Sequence, residues 1–168
     1  EITIHVGEPL SFDVPIQGEP PPDTTWAKDG KTLSETDHRT IKHKEYKTSM
    51  YIDEATRKDD GIYLINAVNI NGKDSAEVRV YVLGPPDICE GPIEISGIHK
   101  NGCKVAWRPP KDDGGCIIEH YIVEKLDVDT NIWSSVGTTP TLDIECKDLE
   151  QGKEYHMRVR AVNAVGEG

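Results

Sequence analysis

Apolar and polar residues alternate in short runs along the chain, as in Ile2, Ile4 and Val6, then Leu10, Phe12, Val14 and Ile16, with polar residues mostly between them. A period of two that favours β-branched residues predicts strands with one buried face. Turn dipeptides fall where hairpins would close: Asp29-Gly30, Asn71-Gly72 and Asn101-Gly102. Each is able to supply the positive φ of a tight turn. No segment of ten or more residues repeats at 3.6. The chain is therefore expected to be all-β, and strands this short and regularly spaced point to β-sandwiches in tandem.

The 168 residues exceed the needs of one small sandwich, and Gly84-Pro85-Pro86 interrupts the midpoint. Proline cannot donate to a ladder, so a central strand does not run through it. The expected domains are 1–84, with its first strand cut short, and 85–168, with its last strand cut short. A domain of that size buries roughly 60 to 65% of the surface its unfolded chain exposes, enough for one modest core. The linker Gly84, Pro85, Pro86 follows Val82-Leu83 almost at once and leaves few rotatable bonds. A semi-rigid spacer with a limited hinge at Gly84 is expected.

In the first half, Trp26 follows the loop Gly18-Glu19-Pro20-Pro21-Pro22, and Asp59-Asp60-Gly61-Ile62-Tyr63 opens the run to Val68. This layout resembles an immunoglobulin domain, with a core Trp on the third strand and a tyrosine corner opening the sixth. The Tyr63 hydroxyl is expected to bond backbone at the Arg57 to Asp60 bend. The family's disulfide positions carry Val14 and Ile65 instead. Burying those two aliphatics contributes about 1.5 to 3 kcal/mol each, comparable to the roughly 2 to 4 kcal/mol credited to a bridge.

In the second half, Trp107, Tyr121, Leu149 and Tyr155 are spaced as in a fibronectin type III domain, and Pro86 to Gly168 resembles one throughout. The resemblance implies that Trp107 packs with Tyr121 and that Leu149, six residues before Tyr155, forms its corner. Trp-X-Pro-Pro, Asp-Asp-Gly-Gly, Tyr121-Ile122-Val123-Glu124-Lys125 and Arg-Val-Arg-Ala-Val-Asn-Ala-Val-Gly are similar to phrases of the giant muscle proteins of the titin, twitchin and projectin kind. The first half, an I-set-like module with Trp-Ala-Lys-Asp-Gly, is similar to the same group. The resemblance implies a structural spacer and docking segment on sarcomere thick filaments, in the A-band of the cytoplasm. Its partners would be myosin or other thick-filament components and neighbouring modules of the same chain. It also implies a kinase domain elsewhere in such proteins.

Charge narrows the partners. Lys plus Arg number 19 against 30 Asp plus Glu, a net charge of −11. The halves share the deficit, with 10 basic and 15 acidic residues to Gly84 and 9 and 15 after it. An evenly acidic chain repels nucleic-acid phosphates and anionic membrane surfaces. No apolar run approaches the roughly 20 residues that span a bilayer. The four cysteines all lie in the second half, and none of the six asparagines begins an Asn-X-Ser/Thr sequon. Both features favour a reducing compartment. They count against a cell-surface adhesion or receptor ectodomain, the rival home of these folds. A regulatory flank of a kinase domain is the second rival.

No residue set promises catalysis, and no small-molecule substrate, cofactor or metal is expected. His38-Arg39-Thr40 superficially resembles a kinase catalytic loop but lacks its Asp. His38 and His43 have no Cys or further His at ligand spacing, and Asp112, Asp113, Asp127 and Asp129 lack the alternating oxygens of a calcium loop. Cys103 and Cys146 have inward parity on strands that neighbour each other in the fibronectin family, so their sulfurs are expected to be close, as buried thiols or as a redox clasp. The expected docking surface is a row of His156, Arg158 and Arg160, facing outward while Tyr155, Met157, Val159 and Ala161 face inward. The competing expectation pairs these cations with Glu119 and Glu124.

Overall fold

The computed structural model describes all 168 residues, which divide into two compact units, Glu1–Leu83 and Gly84–Gly168. Unit 1 contains β1 (Ile2–His5), β2 (Leu10–Pro15), β3 (Asp23–Lys28), β4 (Lys31–Thr32), β5 (Arg39–Lys44), β6 (Lys47–Ile52), a 3₁₀ turn at Arg57–Asp59, β7 (Gly61–Asn69) and β8 (Gly72–Leu83). They form two sheets, ordered β1-β8-β7-β3-β4 and β2-β6-β5. The first strand runs parallel to β8, Ile2 opposite Val80, and the other pairs are antiparallel.

Alternation decides what faces inward. Leu10 and Phe12 on β2, Met50 and Ile52 on β6, Tyr63 and Ile65 on β7 and Val80 and Val82 on β8 close over Trp26. Phe12, the only phenylalanine, has its ring centroid 5.6 Å from that of Trp26 and 5.9 Å from that of Tyr63. Phe12 thus joins the two aromatics in one cluster, where tilted rings add attraction beyond area burial. Tyr63 Oη donates to Asp59 O at 2.7 Å, within the expected bend. Burial pushes its phenol well above the ordinary value. Asp60 braces the same corner, accepting from Val82 N at 2.9 Å and pairing with Arg79 at 2.8 Å.

Where a bridge would lie, the two positions differ. Ile65 is buried, but Val14 is only half-buried, and both line an open groove of about 280 Å³. Val14 therefore contributes less than full burial would give, and Phe12 fills the centre beneath Trp26.

The turns also differ from expectation at two of three sites. Asp29 and Gly30 both take positive φ, 49° and 83°, and close a two-residue hairpin between Lys28 and Lys31. At Asn71-Gly72 the pairing of Asn69 with Gly72 places the turn on Ile70 and Asn71. At Asn101-Gly102 the pairing of Gly102 with His99 places it on Lys100 and Asn101. In both, the glycine opens the next strand, because register, set by the strands' buried faces, overrides dipeptide preference.

Unit 2 contains β9 (Cys89–His99), β10 (Gly102–Pro110), β11 (His120–Asp127), β12 (Ile132–Thr139), β13 (Asp143–Cys146) and β14 (Tyr155–Val162). Its sheets are ordered β13-β10-β9 and β12-β11-β14. Between them Val105, Trp107, Tyr121, Val123, Cys103, Cys146 and Ala161 are buried. Trp107 meets Tyr121 edge-on, centroids 5.6 Å apart at 61°. The Tyr155 hydroxyl accepts from Glu150 N at 3.0 Å, and Leu149 N donates to Asn101 O at 2.9 Å, which fixes this second corner. Leu149 and Tyr155 are half-buried.

Candidate docking site

The outward row on β14 lies at the edge of its sheet, with β11 its only strand neighbour. Its register sets His156 opposite Leu126, Arg158 opposite Glu124 and Arg160 opposite Ile122. On the other side of β11, Trp133 stands opposite Leu126. Beneath the cations, the outward positions of β11 are thus Leu126, Glu124 and Ile122 in turn.

Charges on this face are largely matched. Glu124 Oε1 accepts from Arg158 Nε at 3.0 Å and from Arg160 at 2.8 Å, and Arg160 also meets Glu167 at 2.9 Å. The Arg158 hydrogen bond is the foremost cause that holds the Glu124 carboxyl below its ordinary range. His156 lies 3.6 Å from Glu154. Pairing through Glu124 is realised, whereas Glu119 takes no part in it. The guanidinium of Arg158 also lies 3.9 Å from the Trp133 ring centroid, a stacked cation–π contact. Sequence reasoning placed the three cations on one face but missed Trp133. The available signal was its outward parity opposite Leu126.

At the unit boundary a second residue escaped the sequence reading. Asn163 is 3% exposed, and each polar atom of its side chain has partners. Its Nδ2 donates to Gly84 O and Asp113 O, both at 2.8 Å, while Oδ1 accepts from Val165 N at 2.9 Å and Gly166 N at 3.1 Å. Gly84 N donates to Gly114 O at 2.9 Å, and Asp87 N to Asp112 O at 2.9 Å. Gly114 must be glycine: its φ is +82°, and a Cβ there would lie 2.0 Å from Gly84 O. On the other side of the boundary, Leu83 ends β8 opposite His5, and its carbonyl accepts from Val6 N at 2.8 Å. Of the residues expected as linker, Gly84 is hydrogen-bonded within the second unit.

Among the other candidates, Cys103 stands directly opposite Cys146 in the β10–β13 ladder, and both are free, buried thiols. Burial is the main cause that raises both thiol pKa values. His43 Nδ1 lies 2.7 Å from Thr24 Oγ1 and 3.0 Å from Thr48 Oγ1, so its ring is engaged in structural hydrogen bonding.

The immunoglobulin I-set domain family matches residues 1–82, and the fibronectin type III domain family matches 88–168. This chain is an I-set domain followed by a fibronectin type III domain. The I-set and fibronectin pair is similar along nearly its whole length to muscle proteins. Myosin-binding protein C, fast-type, of Mus musculus is 33% identical over 168 residues, covering 98% of this chain and 15% of the relative. Titin of Drosophila melanogaster is 32% identical over 167 residues, covering 98% of this chain and 1% of the relative. A crystal structure of titin domains is 29% identical, covers 99% of this chain and 57% of that one, and has a TM-score of 0.55. The pair thus spans a small part of the curated relatives it matches.

Proposed function

We propose that the pair is a non-catalytic spacer and docking segment of a sarcomeric, thick-filament-associated protein, located in the A-band. The observation that supports the spacer role is that Leu83 is hydrogen-bonded within the first unit and the next residue, Gly84, within the second. Kinship with a protein named for binding myosin, and with titin, supports the setting. Small-angle scattering of the chain beside a variant with Gly-Ser-Gly-Ser inserted between Leu83 and Gly84 tests the spacer role. A larger, broader distance distribution in the variant supports it, and identical distributions refute it.

The proposed docking element is the β14 face, centred on the Trp133–Arg158 stack. Because Glu124 and Glu167 balance the arginines, bulk charge is not what the face offers. It offers a half-exposed aromatic with a fixed guanidinium, flanked by Leu126 and Ile122, and Trp and Arg are enriched where interfaces concentrate their energy. Co-sedimentation with purified myosin filaments tests it. Trp133→Ala and Arg158→Ala should each reduce the bound fraction, and unchanged binding by both would remove this face from the account.

A further inference from the structure

The excess of positive charge that the β14 face lacks lies in the first unit. A groove of about 580 Å³ is lined by Lys28, Lys31, Leu33, His38, Arg39, Thr56, Arg57, Lys58 and Asp59. Half of that unit's basic residues, Lys28, Lys31, Arg39, Arg57 and Lys58 out of ten, border this one depression, against one of its fifteen acidic residues. The single acid, Asp59, is buried and accepts a hydrogen bond from Thr56 N at 2.8 Å. Two of the cations have nearby acids: Lys28 meets Asp29 at 3.4 Å and Arg57 meets Asp60 at 3.3 Å. Lys31 and Lys58 are exposed and carry no ion pair. Arg39 donates one guanidinium nitrogen to Ser34 O at 3.0 Å, while its Nε is buried without a partner. In an acidic module such clustering is unlike a scattered solvated surface, where opposite charges intersperse.

We infer that this groove is a docking cleft for a short acidic peptide segment of a protein partner, carrying carboxylates and at least one apolar side chain. Its volume lies in the range of ligand-sized clefts, about 300 to 1,000 Å³. Leu33 and the alkyl stems of the lysines and arginines give it an apolar wall, while the exposed ammonium ends of Lys31 and Lys58 are free to meet carboxylates. Arginine adds a fork that matches a carboxylate's two oxygens. The rest of the molecule selects the partner class. A long polyanion such as nucleic acid would run past the cleft along a chain whose net charge is −11, and would be repelled there. A short peptide meets only the cleft. The His38-Arg39 pair, which has no place in catalysis, acquires a role as part of this wall. The inference stands independently of the β14 face, which lies in the other unit.

The test uses the whole ¹⁵N-labelled chain titrated with a fluorescein-labelled peptide of alternating Glu and Leu, and separately with its Lys–Leu counterpart and a single-stranded oligonucleotide of equal charge. Saturable, salt-sensitive binding of the acidic peptide alone is expected, with amide shifts confined to Lys28–Leu33, His38–Arg39 and Thr56–Asp59. Lys31→Glu combined with Lys58→Glu should weaken it by about tenfold or more, and Lys→Arg at both sites should restore it. Both lysines are exposed, so the fold is expected to survive, as circular dichroism would verify. Absent saturation, shifts elsewhere, an unaffected double variant, or oligonucleotide binding as tight as the peptide's would each overturn the inference.

Discussion

Trp26 Nε1 donates to Thr48 Oγ1 at 2.8 Å, and both residues are almost wholly buried. A buried indole N–H needs an acceptor, and a hydroxyl on the facing sheet supplies it without charge. Thr48 also meets His43 Nδ1 at 3.0 Å, so the core tryptophan is tied through one side chain to β5. Thr48→Val keeps the shape and removes the acceptor. It should destabilise the first unit by about 1 to 3 kcal/mol. Urea denaturation followed by Trp26 fluorescence checks this, and an unchanged midpoint would show that the bond contributes nothing net.

Asn163 satisfies two carbonyls and two backbone N–H groups at once. Asn163→Ala leaves Gly84 O and Asp113 O without this donor and should cost the second unit on the order of 3 kcal/mol. Native-state hydrogen exchange should show faster exchange at Gly84, Val165 and Gly166 before the rest of the unit. Uniform loss of protection would instead point to a global effect.

The Glu124 carboxylate is held below its ordinary range by the Arg158 hydrogen bond first and by burial-opposed attraction to both arginines. A depressed folded-state pKa gives stability that is present above the unfolded value, about 4.3, and is lost as pH falls below it. The stability gap between the wild type and Glu124→Gln should therefore be constant above about pH 5 and shrink as pH falls further. Thermal midpoints of both proteins from pH 7 to pH 2 measure the gap. A gap independent of pH would mean the carboxylate's charge is not what stabilises β11 and β14.

Cys103 and Cys146 face each other with thiol pKa values raised by burial, which suppresses the thiolate needed for reaction near neutral pH. Iodoacetamide under native conditions should modify half-buried Cys116 first and leave this pair until unfolding. Mild diamide should leave the mass of the folded chain unchanged. Loss of two hydrogens mapped to Cys103 and Cys146 would establish the redox clasp instead.

Much of this architecture is legible in the sequence, because period-two alternation and the two corner tyrosines are local signals. Tyr63 reaches back four residues and Tyr155 five, short spans that spacing can encode. Phe12, Met50 and Thr48 complete the first core through contacts between separate strands, as Phe12 with Trp26 and Tyr63 and Thr48 with Trp26, and no local pattern ranks them. The outward row His156, Arg158 and Arg160 was legible as parity. Its neutralisation by Glu124 and its stacking on Trp133 depend on the β11 register, which two intervening turns set. The basic groove gathers Lys28, Arg39 and Lys58 from three separate segments, so the even spread of charge along the chain conceals it.

We propose that the two modules act as one spacer, with Leu83 hydrogen-bonded in the first unit and Gly84 in the second. Backbone ¹⁵N relaxation tests it most directly, by giving a rotational correlation time for each unit. The account predicts a single time, shared by both units and appropriate to the whole 18.7 kDa chain, that splits into two shorter times when Gly-Ser-Gly-Ser is inserted after Leu83. Two short and independent times in the uninserted chain would contradict it.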